Sequence, residues 1–445
     1  MIVARLAVAD LRSSWQVWAG LFTVCAVAAV AGSVPGVLIV SGLRTPGVRG
    51  LALLSIAGTT AAFGLIALLV VVSAVVRLTA GLLERTHALW QLAGVTPRGV
   101  RVTMLLQTAV TATIGAVCGG TVAASVVPAS VAASLADASG LAGVDVTGSG
   151  QETATVVLST VVAAVLAALP GSRRAASTSP LLLLRTETGG RRSGAGRIAV
   201  AVLLSALVVS MLVGLPRSVP DGAAPALLIG PVLIAVVAVL GRSIGAPVVR
   251  LWTAAVPERA SVAFAVARAT ARWAATRSDT TLAALLIAVG LPTALVGGQR
   301  TAASAFGAAT AHASGAGATL LVLSGPVLLA AIGAAATAAM STRDRGRERE
   351  QLRAIGASPG LAVGVAAIEG LVLSVTGILI AGATVLIAVG AEWTVLAPSY
   401  PATRPTVPLD VLLWAGGFCS VLVVVSTLLP ALDVRRSWLG RTLRP

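Results

Sequence analysis

The sequence predicts an all-α integral membrane protein with about ten transmembrane helices, arranged as two parallel four-helix modules joined by two extra helices. Three observations lead to this class. First, 57% of the 445 residues are hydrophobic and only 11% are charged, with a mean hydropathy of +0.96; a soluble domain carries about 25% charged residues. Second, apolar runs of at least about 18 residues, long enough to cross a bilayer, follow one another along the chain. Third, polar landmarks recur at a nearly constant offset, as expected of a duplicated unit with small loop insertions. Gly94 and Gly356 stand 262 positions apart, Arg5 and Arg268 263, Gln107 and Glu369 262, and Pro170 and Pro430 260.

Each module opens on a short amphipathic helix, 4–12 in the first and 267–273 in the second. Arg5 and Arg12, or Arg268 and Arg272, lie near one face, and small apolar residues occupy the other. Such a helix suits the headgroup layer. The Ala29-Val30-Ala31-Gly32 stretch resembles a signal cleavage site. Residues 2–14 nevertheless repeat at 265–277, where no signal acts, so the segment is expected to be retained.

The spans are expected at about 16–40, 52–78, 103–126, 153–170, 198–215, 225–248, 279–298, 318–341, 361–390 and 410–431. Those at 103–126 and 361–390 are rich in Gly and Ala, which favours close helix contact in lipid. Asp279, with Ser278, reads as a helix start. The resulting domains are 1–185 (first module), 186–197 (a Gly/Arg/Ser/Thr linker), 198–248 (two connecting spans) and 249–445 (second module with a basic tail). Four spans plus two make an even number, so the modules share one orientation, unlike inverted transporter repeats.

Charge distribution sets the sidedness. All 32 basic residues are Arg, giving a formal net charge of +16. With a cytoplasmic N-terminus, 27 of them fall on the inner side, and only Arg44, Arg49, Arg217, Arg300 and Arg404 lie outside. This positive-inside pattern places both termini in the cytoplasm and accounts for the charge without nucleic acid. Cys25, Cys118 and Cys419 sit in apolar runs, and the two histidines are distant in sequence, so neither a disulfide framework nor a metal site is expected. With no Lys there is no ordinary P-loop, and no H-E-x-x-H occurs. No catalytic residue, cofactor or metal is expected, and the chain is read as a non-enzyme.

The strongest functional signal is a charged element present twice between long apolar runs. One copy holds Glu84, Arg85, Trp90, Gly94 and Pro97; the other holds Arg347, Glu348, Arg349, Glu350, Arg353, Gly356 and Pro359. Each Gly is suited to end a helix in the left-handed conformation, and the Pro three residues later prevents simple continuation. A short rigid helix, a sharp turn and the next span are expected, with both copies on the cytoplasmic side. Gln107 and Glu369 follow the two glycines at equivalent depth. An ionisable group there is costly, and it suits either a substrate route or the tying of neighbouring helix ends.

Glu348-Arg349-Glu350-Gln351-Leu352-Arg353-Ala354-Ile355-Gly356-Ala357-Ser358-Pro359 resembles the cytoplasmic signature of the FtsX-like permease family. Glu369 at the start of the next span and the Ser179-Pro180 … Leu184-Arg185 tail are similar to that family too. The arrangement is similar to its ten-span, bacitracin-export-type members, without their large extracellular domain. The resemblance implies the membrane subunit of an ATP-binding-cassette complex in a bacterial plasma membrane. Its partners would be a separate, dimeric ATPase, the lipid bilayer and an amphipathic compound (antibiotic, peptide or lipid) that is exported or extracted. The two charged elements would seat on the ATPase. The first copy departs from the pattern, with Trp90-Gln91 in place of Leu-Arg. Two alternatives stay open: a mechanotransmitting subunit for signalling or cell-wall hydrolase activation, and an ATPase-independent secondary transporter.

Overall fold

The computed structural model describes residues 10–11, 14–136, 144, 146, 148–177, 194–218, 225–257, 261–274, 279–305, 316–344 and 356–442. Among them there is no strand, and the protein is an all-α integral membrane protein. Among the described residues eight helices are long and apolar enough to cross a membrane, and a bent pair brings the number to nine. Contacts group the chain into two units, Met1–Arg191 with Gly315–Thr337, and Arg192–Ser314 with Ala338–Pro445.

In the first unit, α1 (Trp15–Arg44), α2 (Val48–Leu82), α4 (Pro97–Ala136) and α5 (Gly150–Ser177) pack as a four-helix bundle. The short α3 (Glu84–Leu92) lies against α2, α4 and α5. Small residues let α1 and α4 approach closely. A Cβ on Gly115 would fall 2.6 Å from the Phe22 carbonyl oxygen, and one on Gly119 would collide with the carbonyl of Ala26, one turn along α1. This is the Gly-x-x-x-Gly device by which helix backbones touch in lipid, where apolar burial alone gives little drive. Toward the other end, Val37, Leu38, Leu53, Ala57, Val127 and Val131 form a larger apolar core. Helix α5 starts at a capping box: Ser149 Oγ accepts from the Glu152 amide (3.2 Å) and Glu152 Oε2 from the Ser149 amide (3.3 Å).

The second unit holds α6 (Gly194–Ser218), α7 (Ala226–Ala254), α8 (Val262–Ala274), α9 (Asp279–Leu285), a π turn (Leu286–Gly290), α10 (Leu291–Ala305), α12 (Pro359–Leu396) and α13 (Leu409–Thr442). Helix α12 is its centre and touches every other helix of the unit named here. The Trp252 indole on α7 donates to Thr376 Oγ1 on α12 (3.0 Å). By contrast, α6 is largely exposed along its apolar length, as expected of a lipid-facing span.

The expected seventh span runs from α9 through the π turn into α10 and is almost wholly buried. Pro292 has no amide hydrogen for the carbonyl four residues earlier, so a widened turn just before it relieves the mismatch. The expected sixth span, α7, bends by 85° between Ala226–Gly241 and Ser243–Ala254. Pro247, which cannot donate to residue 243, lies one turn beyond that bend. The expected eighth span is helix α11 (Ala316–Asp344). Its residues 315–337 group with the first unit, where Gly325 lies against Ala31 and Gly333 against Val71.

The duplication is visible in packing as well as in sequence. Gly115 meets Phe22 in the first unit, and Gly377 meets Leu285 in the second, offsets of 262 and 263. Gly120 meets Thr153, and Gly382 meets Leu412, offsets of 262 and 259. Glycines at equivalent positions thus face equivalent helix positions in both units, against backbone at Gly115 and against side chains at the other three.

Candidate functional site

The two charged elements end in turns of the same construction. In the first, Gly94 takes φ +93°. Its amide donates to the Gln91 carbonyl (3.0 Å), and the Val95 amide donates to the Trp90 carbonyl (2.9 Å). That pair of bonds is a Schellman motif, which satisfies the last carbonyls of α3 and needs a residue tolerant of the left-handed region. Thr96 then caps α4: its Oγ1 accepts from the Gly99 amide (3.2 Å) and its carbonyl from Val100 (3.1 Å). Pro97 is the first helical residue, where its missing amide hydrogen costs nothing.

The second turn shares the left-handed Gly, the capping side chain and the Pro at the same offset. Gly356 takes φ +85°. Ser358 is extended, at φ −66° and ψ 151°, and its Oγ accepts from the Leu361 amide (3.3 Å). The Ser358 carbonyl accepts from Ala362 (3.3 Å), and Pro359 opens α12. The turns launch helices of 40 and 38 residues, about 60 Å long at ~1.5 Å per residue. A bilayer core needs only about 20 residues, so each helix extends well past it.

Glu84 and Arg85 form the first turn of α3, and Trp90 lies on its last turns. Arg347, Glu348, Arg349, Glu350 and Arg353 lie outside the described residues. Gln107 on α4 and Glu369 on α12 are both buried. Gln107 Nε2 donates to Asp10 Oδ2 (2.8 Å), which joins the N-terminal segment to α4.

Beside this bond lies a residue that the sequence reading passed over. His87 on α3 is buried, and among the described residues neither ring nitrogen has a hydrogen-bond partner. Its ring meets Trp90 edge-on at 5.4 Å. Burial lowers its pKa, and the nearby Asp10 charge opposes that shift only in part. Asp10 thus lies near enough to His87 for its charge to act on the buried ring. A lone His among apolar neighbours at helical spacing, with its acid 77 positions away, gives no local motif to read.

Among the described residues no three His, Cys, Asp or Glu side chains gather as a metal site would require. Comparison with protein-family models, curated proteins and solved structures finds no match.

Proposed function

We propose that this chain is the membrane subunit of an ATP-binding-cassette complex, which couples ATP hydrolysis on a separate dimeric ATPase to export or extraction of an amphipathic compound. The observation that carries the reading is the paired turn: Gly in the left-handed region, a Thr or Ser cap, then Pro, built twice on one plan and each rigidly joined to a helix longer than a bilayer core requires. A short helix fixed through such a turn transmits displacement along the following helix instead of absorbing it. In this reading the N- and C-termini are cytoplasmic, both turns face the cytoplasm of a bacterium, and residues 84–97 and 346–359 receive the ATPase. An amphipathic cargo fits because most spans carry almost no charge, leaving no polar conduit.

The test is affinity purification of the full chain from its native membrane. A nucleotide-binding subunit is expected to co-purify, and its ATPase activity in nanodiscs to rise with cargo. Arg349, Glu350 and Arg353 replaced together by Ala should abolish co-purification while membrane insertion persists. Undiminished complex formation by that variant, or purification of the native chain without an ATPase, would sink the proposal.

A further inference from the structure

Glu392 stands four residues before the end of α12. It is fully buried, and among the described residues neither carboxyl oxygen has a hydrogen-bond partner. The side chain is pressed against α10: a Cβ placed on Gly298 would lie 3.3 Å from Glu392 Oε1 and would collide with the Ala226 carbonyl at the start of α7. The carboxyl therefore lies beside the point where the backbones of α10 and α7 meet. Its surroundings along α12 are apolar. One and two turns earlier Val389 and Val385 pack with Ile234 and Ala294, and one turn later Leu396 packs with Leu215, Ile229 and Ala302.

Among the described residues, the charged groups near this end of the bundle are occupied or exposed. Arg300, two residues past Gly298, donates through Nη1 to Asp410 Oδ1 (2.9 Å) and through Nη2 to Oδ2 (2.8 Å) on α13. Arg217 ends α6 and is exposed, as is Arg404 in the loop after α12, while Tyr400 in that loop is half-buried. None of them donates to Glu392.

An ionised carboxylate withdrawn from water with no donor and no cation is among the most costly arrangements a protein can hold. A neutral carboxyl avoids nearly all of that cost, and a proton is the one cation that needs no cavity. We propose that Glu392 is a proton-binding site within the membrane-embedded bundle, where the bound proton lets α12 stay seated on α10 and α7 and its release drives them apart. The inference stands independently of any ATPase partner. The first unit holds a contrasting case, since Glu152 also packs on a glycine, Gly36, but its carboxylate is engaged in the cap of α5.

The experiment is infrared spectroscopy of the full chain in lipid nanodiscs, comparing wild type with Glu392→Gln from neutral to alkaline pH. At neutral pH one protonated-carboxyl carbonyl band is expected in wild type and absent from the variant. On alkalinisation that band should disappear and the wild-type thermal midpoint fall, while the variant, a neutral isostere, keeps its midpoint. Identical spectra in the protonated-carboxyl region would mean that Glu392 is ionised, which overturns the proposal. So would failure of Glu392→Gln to insert and fold, because a permanently neutral side chain of that shape is what the site is argued to hold.

Discussion

Gly94 and Gly356 show how a single residue can decide a connection. Both sit at positive φ, yet an added Cβ at either would meet nothing within 4 Å. The cost of Gly94→Ala or Gly356→Ala is therefore purely conformational, about 1–2 kcal/mol for an L-residue in the left-handed region. Thermal unfolding should show a lowered midpoint for each, with no further loss when a larger unbranched side chain is tried. His87 makes a different prediction. Its pKa is lowered in the folded chain from an ordinary 6.5, so just below that value the unfolded chain binds a proton that the folded chain does not. Stability then rises with pH across the window and is fully present above about 6.5. Acidification from pH 7.5 to about 5.5 should lower the unfolding midpoint of the wild type more than that of His87→Leu. Equal slopes would show that His87 is not protected from protonation.

At the scale of the helix, glycine has two opposite meanings. Gly119 brings α4 onto the backbone of α1, so Gly119→Ala must push the helices apart, at a cost of about 1–3 kcal/mol from overpacking. Gly58, within α2, has open space where a Cβ would go. There Gly58→Ala should stabilise by roughly 0.5–1 kcal/mol through helix propensity. Parallel melts of the two variants should shift in opposite directions; two destabilised variants would mean that the α1–α4 contact is not special. Glycines stand at helix contacts at matching positions in both halves, Gly115 with Gly377 and Gly120 with Gly382, although only Gly115 among them meets a neighbouring backbone. The period of the sequence is in this sense a period of helix contacts.

For the molecule as a whole, the decisive property is sidedness. An even number of expected spans between the repeats, together with the arginine asymmetry, leads us to expect Gly94 and Gly356 on one face of the membrane. Single cysteines introduced beside them, at Val95 and at Ala357, in a chain freed of Cys25, Cys118 and Cys419, should react with a membrane-impermeant thiol reagent from the same side. Labelling from opposite faces would undo the common orientation of the two halves, and the proposed ATPase seat with it.

Much of this protein is written locally. Apolar length specifies helices that cross a membrane, because a backbone in lipid must satisfy its own hydrogen bonds. Gly-x-Thr-Pro at 94–97 and Gly-x-Ser-Pro at 356–359 specify the turns, because left-handed backbone and a missing amide hydrogen are properties of the residues themselves. Residues in one helix, however, do not announce what they will face in another. Gln107 was legible as a polar residue within a span, but its partner Asp10 lies 97 positions away. Nothing local to Glu392 marks the approach of Gly298, which lies 94 positions earlier in the chain. His87 stands in a charged segment, and its burial follows only from the packing of α3. Conformation and membrane insertion follow from short-range sterics and hydration, which the chain carries in its own order. Burial and the missing partner arise only when distant segments meet, and tertiary packing alone could decide them.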